Sequence, residues 1–154
     1  MEIEDLITPE SVIARLRVTS KKHVLQELAK RAAETTGLPE RAIFDVLLER
    51  ERLGTTGVGD GIAIPHGKLA DLHRLHGLFA RLDTAVDFDA VDDQPVDLIF
   101  LLLAPEGAGA DHLKALARVS RLLRDRSTCE KLRGADKADA LYALLTGSRA
   151  SHAA

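Results

Sequence analysis

The sequence predicts an α/β protein, a single-domain sandwich in which helices flank a β-sheet. Helix patterns lie before, between and after the strand patterns along the chain. The segment VDLIFLLLA, residues 96–104, is apolar at nearly every position, which is typical of a central strand with both faces covered. The length of 154 residues suits one compact domain.

The first part of the chain is predicted to form two helices. Ser20 can cap a helix over residues 21–36. A second helix begins at Pro39 and runs to about Leu53, because proline is favoured in a first helical turn. Arg50 falls on the apolar face of that second helix. The apolar stripes recur with a 3.6-residue period: Val24, Leu25, Leu28 and Ala32 in the first helix, and Ile43, Val46 and Leu47 in the second.

A glycine-rich loop and two strands follow. The loop holds four glycines within residues 54–61, and the short apolar run 62–64 comes directly after it. LFARL, residues 78–82, and VDLIFLLLA, residues 96–104, have the composition of strands. The order of these strands in the sheet cannot be deduced from their patterns.

Two more helices complete the predicted domain, which spans residues 1–147. His112 begins the first of them, and the second covers roughly residues 136–146. Residues 148–154 form a polar, low-complexity tail that is expected to fray. The buried stripe of the helix that begins at His112 consists of Ala115, Leu116, Val119, Leu122 and Leu123.

Composition and charge exclude several classes of function. The net charge is −3, aromatic residues make up 3% of the chain and tryptophan is absent, which argues against nucleic-acid binding. Cys129 is the only cysteine, so an oxidising compartment gains no support. The acidic N-terminus lacks the apolar region of a signal peptide, and the apolar run 98–104 is too short to span a membrane. We therefore expect a cytoplasmic protein without membrane insertion.

The segment GDGIAIPHG contains the strongest candidate for chemistry, His66. Pro65 fixes its own φ and restricts Ile64 to an extended conformation, and Gly67 permits an irregular turn. His66 is therefore predicted to lie at a strand end, where ligands gather in α/β proteins. The preceding loop can form an anion-binding nest from backbone amides and threonine hydroxyls. The candidate residues of this phosphate loop are Thr55, Thr56, Gly57, Gly59 and Gly61.

A rigid histidine beside an anion nest suits phosphoryl transfer. A neutral imidazole nitrogen can attack phosphorus and form a phosphoramidate, and nearby cations and N–H groups stabilise the transition state. Arg50 and His112 are the candidate helpers. The pattern alone also allows plainer interpretations: a structural turn at His66, an arginine that covers the edge of the core, a polar residue at a helix start and a simple connecting loop. The loop lacks the Lys-Ser/Thr ending of a nucleotide-binding P-loop.

A family resemblance favours the chemical interpretation. The stretch LLERERLGTTGVGDGIAIPHGKL, residues 47–69, resembles the phosphorylation-site region of enzyme IIA domains of the bacterial phosphotransferase system, fructose/mannitol type. Within that class it is most similar to the nitrogen-related regulatory branch. The resemblance continues through residues 84–123 and covers almost the whole chain.

The resemblance implies a role for each matching residue. His66 is expected to accept a phosphoryl group on Nε2 from an HPr-like carrier protein. Arg50 matches the arginine of an Arg-Glu pair that helps to hold the phosphoryl group, and His112 matches an assisting histidine. The family fold is a mixed β-sheet flanked by helices. The family implies neither an organic cofactor nor a metal.

Two carboxylates depart from the family pattern. Asp60 stands where relatives often have Asn or Gly, and it either opposes phosphorylation by charge repulsion or points to solvent. Asp111, next to His112, either caps the helix or raises the pKa of His112. Neither alternative is decided by the sequence.

Other polar residues are interpreted as structural. His73 and His76 have a metal-compatible spacing but no third ligand, so a solvated surface is favoured over a zinc site. His23 is expected to be solvated, and Cys129 to be a small buried packing residue. The acidic run of residues 83–97 is interpreted as a solvated loop rather than a calcium site.

The predicted function is that of a phosphoryl-acceptor protein that regulates other proteins by its phosphorylation state. A fructose- or mannitol-specific enzyme IIA that passes phosphate to a separate IIB is the alternative within the family. A partner-binding module without phosphoryl chemistry is the alternative of another class. Potassium transport systems and sensor kinases are the regulated partners that the resemblance implies.

Overall fold

The structure, a computed structural model, describes residues 1–147, and the predicted tail of residues 148–154 lies outside this range. The described residues form one six-stranded sheet and five α-helices. The strands are β1 (Val12–Leu16), β2 (Gly57–Gly59), β3 (Ile62–Ala63), β4 (His66–Leu69), β5 (His76–Val86) and β6 (Val96–Pro105). The helices are α1 (Lys21–Thr36), α2 (Glu40–Leu53), α3 (Ala110–Arg124), α4 (Arg126–Gly134) and α5 (Ala138–Thr146).

The sheet is mixed, as the family resemblance implied. Its strand order is β1-β5-β6-β3-β2, and β4 also pairs with β6, beyond β3 on the same side. Strands β1 and β5 are parallel, β3 and β4 run parallel to β6, and the pairs β5–β6 and β2–β3 are antiparallel. Helices α1 and α2 contribute to one buried cluster, and α3, α4 and α5 to a second. The predicted α/β sandwich is therefore confirmed, with β6 at its centre.

The predicted helices occur within about two residues of their expected positions. The hydroxyl of Ser20 accepts from the backbone amide of His23 at 3.1 Å and caps α1. Pro39 occupies the N-cap position of α2 rather than its first turn. Helix α3 begins two residues before His112, at Ala110. Within residues 1–147, no helix has the length and apolar character needed to cross a membrane.

Part of the glycine-rich segment, which was predicted to be a loop able to form an anion nest, is instead a β-hairpin of β2 and β3. Its turn is Asp60-Gly61, with φ of +57° and +80°, and a two-residue turn with positive φ at both positions is the preferred hairpin connection. This Asp-Gly signal was present in the sequence. His66, which was predicted to lie at a strand end, is the first residue of β4, a short strand that was not predicted. Pro65, which has no N–H to donate, lies between β3 and β4.

Four of the side chains interpreted as structural can now be placed. His73 is exposed, but the prediction of a solvated His76 is wrong. His76 is half-buried at the start of β5, where burial lowers its pKa and its Nε2 lies 2.7 Å from the hydroxyl of Thr35. His23 is also half-buried rather than solvated, and its Nδ1 accepts from the Thr19 amide at 3.3 Å. Cys129 is buried, as predicted. Residues 1–147 contain no group of three His, Cys, Asp or Glu side chains that could hold a metal ion.

Candidate functional site

His66 occupies the start of β4, where it pairs with Leu102 of the central strand. Its Nδ1 lies 2.8 Å from the backbone carbonyl oxygen of Ile64. Because a carbonyl oxygen can only accept, Nδ1 must carry the proton, and Nε2 keeps its lone pair. The half-buried ring is thus held as the tautomer in which Nε2 is the unprotonated, nucleophilic nitrogen.

The neighbouring Gly67 allows helix α2 to approach β4 closely. A Cβ atom at Gly67 would lie 2.3 Å from Cγ1 of Val46, far closer than two non-bonded carbon atoms can approach. Arg50 is one helical turn beyond Val46 on α2, so this close approach brings its side chain to His66. The glycine of the Pro-His-Gly segment is therefore needed for helix packing.

Arg50 reaches the nucleophilic nitrogen. Its Nε lies 3.3 Å from Nε2 of His66, and its Nη1 donates to the backbone oxygen of Gly54 at 2.9 Å. The bond to Gly54 anchors the guanidinium, while the longer contact with His66 leaves a weakly engaged N–H beside the lone pair. A planar cation with several donors suits an anion carried on that nitrogen.

His112, in the first turn of α3, also lies against His66. The two rings have centroids 5.8 Å apart and meet edge to face at 67°. His112 is only 7% exposed, and its Nε2 has no hydrogen-bond partner among residues 1–147. A buried polar atom without a partner is rare and marks a place where a ligand can supply one.

Both histidines are biased toward the neutral form. Burial is the main cause that lowers the pKa of His66; the positive charge of Arg50 acts in the same direction, against the Ile64 hydrogen bond and the charge of Glu51. Burial also lowers the pKa of His112, followed by the charges of His66 and Lys68. A neutral His66 is the nucleophilic form at neutral pH.

The structure supports neither alternative for Asp111. The N-cap of α3 is Gly109, so Asp111 lies inside the first turn and does not cap the helix. The pKa of His112 is lowered, not raised. Asp111 is exposed, and in this position it offers a negative charge to the positive end of the helix dipole.

A buried carboxylate next to Arg50 was not among the predicted site residues. Glu51 accepts from the amide of Thr56 at 3.0 Å and from its hydroxyl, and pairs with Nζ of Lys21 at 2.9 Å. Glu51 is 9% exposed. The Arg-Glu pair of the family resemblance contained a signal for Glu51, but nothing in the sequence pattern pointed to Lys21, thirty positions earlier.

The predicted phosphate loop is divided between two places. The hydroxyl of Thr55 donates to the backbone oxygen of Phe88 at 2.9 Å, and Thr56 is bound to Glu51 next to the site. Gly57 and Gly59 belong to β2, and Gly61 lies at the hairpin turn. The Gly61 oxygen accepts from the amide of Leu98, whereas His66 pairs four residues further along β6, about 13 Å away at the usual strand rise. A phosphate-binding role for these five residues stays a prediction.

The fold and the site together define a class of protein: an α/β sandwich in which an arginine and a second histidine both contact one neutral histidine, which suits that histidine to carrying an anionic group. Comparison with known proteins then identifies the family. The sequence profile of the family described as "Phosphoenolpyruvate-dependent sugar phosphotransferase system, EIIA 2" matches residues 5–148. The chain therefore belongs to this enzyme IIA family.

Several similar proteins are named nitrogen regulatory proteins. A nitrogen regulatory protein of Bradyrhizobium diazoefficiens is 63% identical over 145 residues, which are 94% of this chain and 95% of that protein. The crystal structure of the nitrogen regulatory protein IIA-Ntr from Neisseria meningitidis has a TM-score of 0.89 at 35% identity, covering 94% of this chain and 99% of that one. IIA mannitol from Escherichia coli, with a TM-score of 0.77 at 20% identity over 90% and 98% of the two chains, shows the shared fold alone.

Proposed function

We propose that His66 accepts a phosphoryl group on Nε2 from an HPr-like phosphocarrier, and that the protein regulates other proteins by its phosphorylation state. The observation that supports this most directly is the tautomer of His66, whose proton is held on Nδ1 by the Ile64 carbonyl. Nε2 is then a neutral nucleophile with a cation beside it. The proposal assigns the domain to residues 1–147 and places the protein in the cytoplasm with its carrier.

The transfer step needs no proton to move at His66. The lone pair of Nε2 attacks phosphorus, and the new N–P bond forms as the bond between phosphorus and the carrier breaks. The bonding electron pair leaves with the carrier. Nδ1 keeps its proton and its bond to Ile64 throughout, so the ring carries a single N–H in the phosphoramidate product.

Arg50 and His112 then stabilise the negative charge of the phosphoryl group. Its equatorial oxygens carry negative charge in the transition state, so catalysis consists of positioning and electrostatic stabilisation. Once Nε2 is bonded to phosphorus, the Nε–H of Arg50 becomes available to a phosphoryl oxygen. Nε2 of His112, which has no partner within the described part of the chain, gains an acceptor there when it carries the ring proton.

The regulatory part of the proposal rests on the relatives and on the surface around the site. A phosphoryl group on His66 adds up to about two negative charges next to His112, which is followed in α3 by Leu113, an apolar residue that is 68% exposed. A partner that docks over this apolar residue would therefore distinguish the two states by charge. The 63% identity to a protein named a nitrogen regulatory protein favours this use over sugar transport.

The direct test is phosphorylation by purified enzyme I, the HPr-like carrier and phosphoenolpyruvate. The wild-type protein should gain the mass of one phosphoryl group, in a bond that is labile in acid and stable in alkali. His66→Ala should gain none, while His73→Ala, which changes an exposed histidine, should behave as the wild type. Absence of labelling in the wild type, or equal labelling of His66→Ala, would overturn the proposal.

The regulatory role has a separate test. The phosphorylated protein is mixed with fructose- and mannitol-type IIB domains, and the loss of its phosphoryl group is followed over time. If the protein is regulatory, it should pass its phosphoryl group to the IIB domains much more slowly than the carrier phosphorylates it. Rapid transfer to either IIB domain would favour the sugar-specific alternative.

A further inference from the structure

Near the site, an ion pair joins the start of helix α1 to the end of helix α2. Nζ of Lys21, the first residue of α1, lies 2.9 Å from Oε1 of Glu51, in the last turn of α2. The Lys21 side chain is 19% exposed and that of Glu51 only 4%. The ammonium also lies 4.8 Å from the ring centroid of Phe88 and 3.7 Å from a carboxylate oxygen of the exposed Asp89. Lys21 is therefore held by contacts on several sides.

A continuous series of hydrogen bonds leads from this ion pair to His66. Glu51 accepts from both the amide and the hydroxyl of Thr56. The carbonyl of Thr56 accepts from the amide of Ile64 at 3.0 Å. The carbonyl of Ile64 in turn accepts from Nδ1 of His66 at 2.8 Å. Each link fixes the backbone or ring that makes the next one.

We propose that Lys21 is a positioning residue for the phosphoryl acceptor, acting through Glu51, Thr56 and Ile64 to hold the His66 ring in its Nδ1–H tautomer. Buried ion pairs rarely add stability over apolar packing, and their best-attested use is to specify one arrangement of the chain. Without the ammonium, the carboxylate of Glu51 is a buried charge without a counterion and turns toward solvent. Thr56 then loses both of its bonds to Glu51, and the Ile64 carbonyl is no longer fixed.

Only the effect on rate rests on the proposed function; the effect on the ring does not. Three variants separate the contributions: Lys21→Met keeps the length of the side chain without its charge, Lys21→Arg restores a cation, and Lys22→Met is the matched control at the next, exposed position. The ring nitrogen shifts of His66, measured by ¹⁵N NMR, report the tautomer. The initial rate of phosphorylation by the carrier reports the function.

Lys21→Met should show a mixture of His66 tautomers and a rate reduced roughly tenfold, because small misplacements of reacting groups are costly. Lys21→Arg should recover most of the rate and the single tautomer, and Lys22→Met should match the wild type. An unchanged tautomer and rate in Lys21→Met, or an equal loss in Lys22→Met, would overturn the inference.

A fourth variant, Thr56→Val, covers the case in which Lys21→Met does not fold. Thr56→Val removes the hydroxyl link but keeps the shape of the side chain and its amide. It should shift the tautomer in the same direction, and a wild-type spectrum with a wild-type rate would contradict the series. If the wild-type protein accepts no phosphoryl group, the proposed function fails, whereas the tautomer comparison still decides the inference.

Discussion

The two ends of the short strands beside β6 are both polar, but their hydrogen bonding differs. At the hairpin turn, Arg133 donates to both carboxylate oxygens of Asp97 at 2.9 Å and to the backbone oxygen of Asp60 at 2.8 Å. At the other end, Arg50 makes only a long 3.3 Å contact with His66, and Nε2 of His112 has no partner among the described residues.

This contrast distinguishes a structural cluster at the hairpin turn from the proposed phosphoryl-acceptor site around His66. The groups at the hairpin turn satisfy one another, so they hold the hairpin against α4 and leave little for a ligand. The groups around His66 are incompletely hydrogen-bonded, which supports the proposal that they bind an anionic phosphoryl group. Both regions belong to the same conspicuous sequence motif, so residue types alone did not distinguish them.

The largest effect should come from removing the cation at the incomplete end. Arg50→Ala should slow phosphorylation of His66 by about 100-fold, because the transition-state charge loses a donor of the kind worth that factor in other enzymes. Arg50→Lys should recover only part of the rate, since an ammonium cannot hold both Gly54 and a phosphoryl oxygen in a planar fork. Initial rates at saturating carrier measure this.

Thermal unfolding provides the control for the Arg50 variants. Both should unfold within a few degrees of the wild type, because Arg50 is half-exposed and its contact with His66 is long. If both variants are phosphorylated at the wild-type rate, Arg50 does not contribute to the transfer, and its long contact with His66 has no functional meaning.

The opposite result is expected at the hairpin turn. Arg133→Met removes the bidentate pair with Asp97 and the bond to Asp60, and should lower the free energy of unfolding by about 1–2 kcal/mol, a value limited by partial exposure. Phosphorylation at a temperature where the variant is folded should be unchanged. Urea denaturation measures the stability, with Arg124→Met, an exposed arginine at the end of α3, as the control. A slower phosphoryl transfer in Arg133→Met would show that the turn contributes to the site.

Substitution of His112 should change the rate of phosphorylation without a matching change in the free energy of unfolding. His112→Ala should slow phosphorylation about tenfold, the value of one hydrogen bond to a charged group. Its stability should change by less than about 1 kcal/mol, because the lost packing is offset by removal of a buried atom without a partner. His112→Gln, which keeps a side-chain N–H, should be the faster of the two variants in a carrier assay. A large loss of stability with an unchanged rate would reverse the assignment.

The sequence predicted the elements that have a strong period or a cap. Helices α1, α2 and α3 and strands β5 and β6 follow from apolar stripes, from Ser20 and from an uninterrupted apolar run. Strands β1, β2 and β4 were missed because each has at most five residues and owes its pairing to the long strands beside it. Helix α4 was also missed.

The site was predicted in part for a similar reason. His66, Arg50 and His112 were found because a motif and a helix face marked them, and the structure brings all three together. Lys21 and the division of the glycine-rich segment depend on contacts between distant parts of the chain. The Asp-Gly turn is the exception, because its signal was local and was interpreted as part of an anion site.

The two ends should also respond to acid at different pH values. Folding lowers the pKa of His66, His76 and His112 below the usual value of about 6.5, so the unfolded chain binds protons first. Stability is then fully present above about pH 6.5 and decreases as the pH falls toward the lower folded values. At the turn, hydrogen bonds from the Asp60 and Gln94 amides lower the pKa of Asp92, so its contribution is lost only below about pH 4.

Urea denaturation at pH 7.5, 6.5 and 5.5 measures this difference. The wild-type free energy of unfolding should fall between the second and third values, and His112→Gln should fall less. Asp92→Asn should show the same fall as the wild type, because its carboxyl group does not titrate in this window. Stability that rises between pH 6.5 and 5.5 would mean that the histidines are charged in the folded protein.

The smallest effect is expected for Asp60, the residue inside the motif that departs from the family pattern. Its φ of +57° belongs to a turn position that favours Asn, Asp and Gly, and its amide donates to Asp92 at 2.9 Å. The side chain is exposed at a turn about 13 Å from His66 by strand rise, beyond the screening length of about 8 Å at physiological salt. Asp60→Asn should therefore change the phosphorylation rate by less than about twofold, and the small change should vanish as salt is raised. If Asp60→Asn is phosphorylated clearly faster than the wild type even at high salt, this carboxylate lies close to the phosphoryl group. The hairpin turn would then not be independent of the site around His66.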